Sequence, residues 1–408
     1  MYLSLLNPKL WLRIIHLIYI NLLIFIKIWW YGMNDEYAKQ LKSTINRSGP
    51  VFIKISQWLL QRRDMINSNV FNELKSLQIS CKEYPIEVLK KEIENELSMF
   101  SHIDEKPLGV GSIAQVHKAT LKNGDPCVIK IRHPYIVDMM RIDLTIIKFV
   151  SKLLRFKYKK IIDALDIDGV LTNIYKQAFF RTEYENLEQL RYIFRRDRLV
   201  KFPQILYVQD NIIVEEQCPG NHIDKIKSDR DHYISARYCL FYAFTKMIRN
   251  KFVHGDLHDG NVLYHNGCIY IIDYGIVLNL SQRDYRLFKN LIRAYGVFYK
   301  TGNCQRLVDV IQNFTNIKID EKCKKNLQGI LESCSKKILS AGNSVTAFKA
   351  QKVGKSVNEL MDFFNENNIY FKENILYLLL TLPIIEADIT NEFEIDFIGN
   401  AFKKYGGI

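Results

Sequence analysis

One octapeptide constrains this chain more than any other stretch: His254-Gly255-Asp256-Leu257-His258-Asp259-Gly260-Asn261. It is followed by Val262-Leu263-Tyr264, a His265-Asn266-Gly267 turn, the apolar run Ile269-Tyr270-Ile271-Ile272, and then Asp273-Tyr274-Gly275. A loop followed by a hairpin that returns a second aspartate suits in-line phosphoryl transfer. That reaction needs one carboxylate near the attacking oxygen and further oxygen ligands for magnesium bridging the phosphates. Asp256 takes the first role, Asn261 and Asp273 the second. His254 is assigned to packing, and His258 and Asp259 receive no role.

Upstream, residues 107–132 change to the two-residue alternation of strands, predicted at 114–120 and 126–131, with Asn123-Gly124 between them as a type I′ hairpin signal. Gly109-Val110-Gly111-Ser112-Ile113-Ala114-Gln115-Val116 fits G-x-G-x-x-G-x-V with only the last glycine replaced. Missing Cβ atoms there let backbone amides approach phosphate oxygens. Lys130, in Val128-Ile129-Lys130, supplies a point charge for the α and β phosphates. A carboxylate must orient it. Glu183, in the predicted helical stretch 168–196, is the candidate, with Glu185 as competitor on another face. Ile212-Ile213-Val214 reads as a buried strand, and residues 215–220, starting Glu215-Glu216-Gln217, as a hinge beneath an adenine.

Glycine loop, lysine, loop aspartate, asparagine and D-Y-G, in that order, resemble a protein kinase. The resemblance implies an α+β bilobal fold with a small β-rich N-lobe and a mostly helical C-lobe, using ATP and Mg2+. Only residues 276–280 separate Gly275 from the predicted helix 281–299, and no A-P-E occurs. That leaves little room for an activation segment that docks peptides, which argues for a small-molecule substrate or ATP hydrolysis. The remaining residues read as helices at 321–340, 345–365 and 373–385, without evident chemistry.

Residues 10–31 are apolar nearly all round a helix, interrupted by Arg13, His16, Asn21 and Lys27. Arg13 and Lys27 lie closer together than the roughly 20 residues that cross a bilayer. Snorkelling of both cations and the aromatic residues Trp11, Trp29, Trp30 and Tyr31 extend the reach, so membrane attachment is expected, spanning or interfacial. The compartment stays open. The net charge of +13 suits an anionic membrane, a nucleic acid or a phosphorylated ligand alike. Its clusters at Lys152, Arg155, Lys157, Lys159 and Lys160, and at Arg191, Arg195, Arg196 and Arg198, read as solvated helix faces, and no nucleic acid is expected. Eight scattered cysteines without a C-x-x-C pair indicate free thiols in a reducing environment and no structural metal.

Taken together, residues 48–280 resemble the UbiB/ADCK (aarF-domain-containing) family of atypical kinases. Ser48-Gly49-Pro50-Val51-Phe52-Ile53-Lys54-Ile55-Ser56-Gln57-Trp58, with Arg63-Asp64 and residues 74–78 beyond, is similar to that family's K-x-G-Q segment. Ser112-Ile113-Ala114-Gln115-Val116-His117 is close to its S-I-A-Q-V-H, and Glu183 to Asn186 fit its E-A-x-N. The resemblance implies pairing of Glu183 with Lys130, a regulatory helical extension carrying Lys54 and Gln57, and a membrane-linked ATPase or kinase role in isoprenoid quinone metabolism. Three departures stand out: Ser56 replaces the family's glycine, Gly109-Val110-Gly111 replaces an alanine-rich loop, and Gln177-Ala178-Phe179 occupies the family's E-x-D. The chain is therefore divided into an apolar membrane-associating segment (1–34), a K-x-G-Q-type extension (35–100), an N-lobe with inserted helices (101–216) and a mostly helical C-lobe (217–408). Competing readings are a soluble phosphotransferase of the aminoglycoside or choline kinase type and a nucleotide-binding pseudokinase scaffold.

Overall fold

The computed structural model describes residues 7–32, 34–62, 83–164, 166–301, 303–315, 320–339, 360–367, 369–371, 376, 378 and 381. Arg63-Asp64, residues 74–78, Cys81, residues 345–359 and most of 373–385 lie outside them. The chain forms two compact units. The first holds the described residues up to Leu60, those from 83 to 186, and Pro203–Gln217; the second holds Gln61 and Arg62, Leu187–Phe202, and the described residues from Cys218 onward.

In the first unit, helices α1 (Pro8–Tyr31), α2 (Asp35–Ser48), α3 (Pro50–Gln61) and α4 (Ile86–Glu92) precede strands β1 (Phe100–Ile103), β2 (Gly109–Val110), β3 (Ala114–Leu121) and β4 (Pro126–Arg132). Helices α5 (Ile136–Ala164), α6 (Ile167–Lys176) and α7 (Phe180–Phe194) follow, α7 ending in the second unit, to which the short strand β5 (Val200–Lys201) also belongs. Strands β6 (Ile205–Val208) and β7 (Ile212–Glu216) complete an antiparallel sheet ordered β1-β3-β4-β7-β6, with β2 on β3. Strand β4 alternates buried and half-buried residues, whereas β7 is buried on both faces, Ile213 packing with Ala114 and Phe180. Cys127, Ile129 and Ile131 of β4 are fully buried among Ile86, Leu89 and Ile93 of the α4 segment, Phe100, Ile103, Ile212 and Val214. Burial of each such isoleucine contributes about 1.5–3 kcal/mol.

Gln115 of β3, fully buried, uses its amide as a strand neighbour would. Its Oε1 accepts from the Tyr84 amide (2.5 Å) and its Nε2 donates to the Tyr84 carbonyl (3.1 Å). On the next inward position, His117 pairs with the Asp104 carbonyl at 2.8 Å.

Three expectations need correction. Asn123-Gly124 does not form a type I′ turn, which requires positive φ at both central residues. Only Gly124 has it (φ 91), the Gly124 amide bonds to Leu121, and Asn123 Oδ1 accepts from the Asp125 amide, a longer loop closed by glycine. The helical stretch 168–196 is two helices broken at Gln177-Ala178-Phe179. Arg132 causes no local signal there, yet its Nη1 caps the Ala178 carbonyl (2.9 Å) and its guanidinium lies 5.9 Å from the Phe179 ring. The segment expected to be a hinge is in part strand. Glu215 and Glu216 belong to β7, paired with Val128 and Cys127, and the chain enters the second unit only after Gln217.

The second unit is built on α8 (Arg230–Arg249), capped by Asp229, whose side chain accepts from the His232 amide. Around it lie β8 (Asn221–His222), β9 (Phe252–His254), β10 (Val262–His265), β11 (Cys268–Ile271) and β12 (Val277–Asn279), then α9 (Gln282–Thr301), α10 (Gln305–Ile311) and α11 (Glu321–Leu339). One sheet runs β5-β11-β10-β8, and β9 pairs with β12. Asn266-Gly267 does make a two-residue turn with both φ values positive (46 and 80) between the partners His265 and Cys268. Cys127, Cys239, Cys268 and Cys304 are buried free thiols, and burial raises Cys127 to about 11.

His133, at the end of β4, is 4% exposed, and burial lowers its pKa to about 4. The unfolded chain therefore takes up a proton near pH 6.5 that the folded chain refuses, so this group's stabilisation is present above pH 6.5 and lost as pH falls toward 4. His133→Phe keeps the ring beside Tyr84 (4.8 Å) and removes the titration. The difference in urea midpoint between the parent protein and His133→Phe should shift against the parent from pH 7 to pH 5; a constant difference would contradict this account.

Candidate active site

Strand β9 delivers His254 to the start of the loop. Gly255 follows because a Cβ there would come within 2.7 Å of Ile276 Cγ2, while its amide donates to the Ile276 carbonyl. His254 is 1% exposed, and burial lowers its pKa, so the ring is neutral. Its two nitrogens are both used. Nδ1 accepts from the Asp256 amide (3.1 Å) and Nε2 bonds the Asp273 carbonyl. These partners assign the proton to Nε2. The packing role expected of His254 thus takes a definite form: one imidazole holds the backbones of Asp256 and Asp273 together.

Asn261 is fixed by the same loop. Its amide nitrogen donates to the Asp256 carbonyl (3.0 Å), its backbone amide to the His258 carbonyl (3.0 Å), and its carbonyl accepts from Ile272. With Nδ2 so engaged, Oδ1 is the remaining polar atom of the Asn261 side chain, an acceptor. Asp273 Oδ1 accepts from the Gly275 amide at 2.9 Å. Tyr274, fully buried, bonds the Ile271 carbonyl and lies 6.1 Å from Phe202.

The two unassigned residues acquire partners. His258 Nε2 is 3.6 Å from Asp256 Oδ2, and that carboxylate raises the imidazole pKa. Asp259 forms a 2.5 Å ion pair with Arg237 of α8, which is 1% exposed, bonds Tyr233 Oη (2.9 Å) and lies over the Tyr233 ring (4.9 Å). Sequence reasoning passed over Arg237. The available signal was an arginine set among Tyr233, Ala236, Leu240 and Phe241 on the buried face of the helix.

In the first unit, Lys130 Nζ lies 2.8 and 2.9 Å from the two carboxylate oxygens of Glu183, which is 5% exposed. Glu185 is exposed. The Phe180 ring centre is 5.5 Å from the ammonium. Val116 sits opposite Lys130 in the β3–β4 register. The glycine loop turns at residues 111–113, with the Gly111 amide bonded to Ala114 and Gly109 paired to Val116. Gly109 and Gly111 are exposed, and Val110 is half-buried. Ser112 Oγ is buried with no hydrogen-bond partner among the described residues, an orphan at the place where a phosphate oxygen is expected. Glu215 is 8% exposed, whereas Glu216 and Gln217 face solvent. Lys54 and Gln57 lie on α3, half-buried and exposed, and no hydrogen bond or ion pair among the described residues joins them to the glycine loop or Lys130. Ser56, at the family's glycine position, donates to the Phe52 carbonyl one turn back.

The profile of the ABC1 atypical kinase-like domain matches residues 76–302, more than half of the chain. An "uncharacterized protein in hydrogenase 1 5'region" of Clostridium pasteurianum is 29% identical over 377 residues, covering 87% of this chain and 68% of its own. A "probable protein kinase UbiB" of Pseudomonas paraeruginosa is 27% identical over 281 residues, 64% of this chain and 53% of its own. A "probable serine/threonine-protein kinase abkC" of Dictyostelium discoideum is 29% identical over 246 residues, 57% and 35% of the two chains. The chain thus spans about half or less of the two relatives named as kinases. Among solved structures, the complex of Rv3197 with erythromycin from Mycobacterium tuberculosis aligns with a TM-score of 0.48 at 17% identity, covering 72% of this chain and 82% of that one.

Breaking a buried ion pair from one side strands the other charge, at a cost of about 3–5 kcal/mol. Arg237→Met should therefore lower unfolding free energy by that order, and adding Asp259→Leu should recover much of it. Additive losses in a double-mutant cycle by urea denaturation would show that the two side chains are not coupled.

Proposed function

The chain belongs to the UbiB/ADCK family of ABC1 atypical kinase-like proteins, and from that premise we propose a magnesium- and ATP-dependent atypical kinase or ATPase. Its substrate is small or lipid-derived, it works at a membrane, and its role is tied to isoprenoid quinone metabolism as the family resemblance implies. The observation that supports the reading is the His254 bridge, which ties the backbones of Asp256 and Asp273 to one buried imidazole.

The donor set fits magnesium. Asn261 Oδ1 and the Asp273 carboxylate are hard oxygen ligands, and no group of three His, Cys, Asp or Glu side chains poised for a metal occurs among the described residues. A two-ligand protein contribution completed by phosphate oxygens and water is the usual pattern for that ion. Bound magnesium would neutralise phosphate charge and polarise the transferred group. Asp256 accepts the proton of the attacking hydroxyl or water, and its side chain is 39% exposed, within reach of a substrate. On the nucleotide side, Lys130, held by Glu183, binds phosphate oxygens, with Gly109, Val110, Gly111, Ser112 and Val116 forming the cover over them. Glu215, Glu216 and Gln217 follow the adenine edge. The short passage from Gly275 into β12 and α9 leaves no long segment for docking a peptide, which supports a small substrate.

Asp273→Asn should abolish Mg-ATP turnover while the melting temperature stays within a few degrees of the parent protein. Lys130→Met should raise the ATP concentration needed for a thermal shift by tenfold or more. Unchanged turnover in Asp273→Asn would refute the proposal.

A further inference from the structure

By length and composition α1 is able to cross a bilayer, but its side chains divide between two surroundings. Leu10, Leu17, Ile20 and Ile24 are buried, and the helix packs against α2 and α5. Polar ties run along the same side. Arg13 makes a two-pronged ion pair with Asp143 of α5 (2.7 and 2.9 Å), whose side chain is 0% exposed, and also bonds the Ser48 carbonyl. Asn21 bonds Ser48 Oγ (3.2 Å), and Lys27 bonds Gln40 (3.3 Å). Extracting α1 to span a membrane would break all of these and leave the Asp143 carboxylate buried without its counter-charge.

The opposite side of α1 is bare. Leu12, Ile15, Tyr19, Leu23, Trp29 and Trp30 are between 62% and 88% exposed. Beyond Asp143, α5 turns equally apolar and strongly cationic. Phe149, Leu153, Leu154 and Phe156 are exposed, interleaved with exposed Lys152, Arg155, Lys157 and Lys159. Neither residues 8–31 nor residues 144–162 contain a single acidic residue. Exposed aromatic and aliphatic side chains interleaved with cations complement the headgroup region of an anionic bilayer, where both kinds of side chain are satisfied at one depth.

We propose that α1, docked on its own protein and not spanning, forms with the distal half of α5 an interfacial surface that binds anionic lipid. The inference rests on the membrane placement in the reading above and is independent of its nucleotide chemistry. Flotation of the full chain with sealed vesicles tests it, using phosphatidylcholine alone or mixed with roughly a third phosphatidylglycerol. Binding to the mixed vesicles should be about tenfold tighter or more and should weaken as salt rises. The combined variant Lys152→Glu, Arg155→Glu, Lys157→Glu, Lys159→Glu should lose that preference while melting as the parent does. If that variant misfolds, the salt dependence of the parent decides. A tag added before Met1 should remain open to protease on the outside of vesicles. Protection of the tag, equal binding to neutral vesicles, binding indifferent to salt, or no vesicle binding would each overturn the proposal. Mg-ATP turnover measured without vesicles keeps the outcome separate from the fate of the enzymatic reading.

Discussion

The second unit's loop depends on a single neutral imidazole. With both nitrogens satisfied, His254 has no freedom to charge, flip or rotate without abandoning either the Asp256 amide or the Asp273 carbonyl. The cost of a buried, unpaired backbone group is about 1–3 kcal/mol, so the ring behaves as a rivet whose geometry is enforced from both sides. Gly255 makes the close approach feasible, since any side chain there would collide with Ile276. Arg237 then fixes the far side of the loop through Asp259. The loop is thereby gripped by β9, by the strand pair around Asp273 and by the interior of α8, although none of these grips involves a side chain proposed to touch phosphate.

In the first unit the controlling interaction is ionic. A lysine on a central strand costs little only when its ammonium is matched, and Glu183 supplies both carboxylate oxygens from α7. That geometry depends on the helix break at residues 177–179, because α7 begins there. Arg132, two residues after Lys130 on the same strand face, caps the break through the Ala178 carbonyl. One strand thus sets both the cation and, through its neighbour, the start of the helix that carries the counter-charge.

The sequence made legible what is local or periodic. The strands β3 and β4 appear where the alternation put them, and Glu183, one of two candidates until the family resemblance favoured it, is the partner of Lys130. The failures share a cause. Two Asn-Gly pairs look alike in sequence, yet Asn266-Gly267 closes a two-residue turn and Asn123-Gly124 does not, because strand register elsewhere fixes how many residues each loop must span. Gln177-Ala178-Phe179 contains no helix breaker, and the groups that meet its free backbone atoms, Arg132 at the Ala178 carbonyl and the Asp210 carbonyl at the Phe180 amide, lie far off in sequence. Glu215 and Glu216 read as hinge because the apolar run ends at Val214, but as the end of β7 they extend the ladder with β4. The partner of Arg237 was not legible, because only the folded loop brings Asp259 to it.

Gln115 bears on where this protein's parts can be separated. Its amide imitates a strand and holds the backbone of Tyr84, while Ile86, Leu89 and Ile93 fill the space over β4. The segment ahead of the first strand is therefore a shingle nailed to the sheet it covers. A piece of the chain excised at the first strand would carry an exposed isoleucine-lined face and a buried amide with no one to answer it, so the smallest autonomous fragment of this half of the molecule has to begin before residue 84.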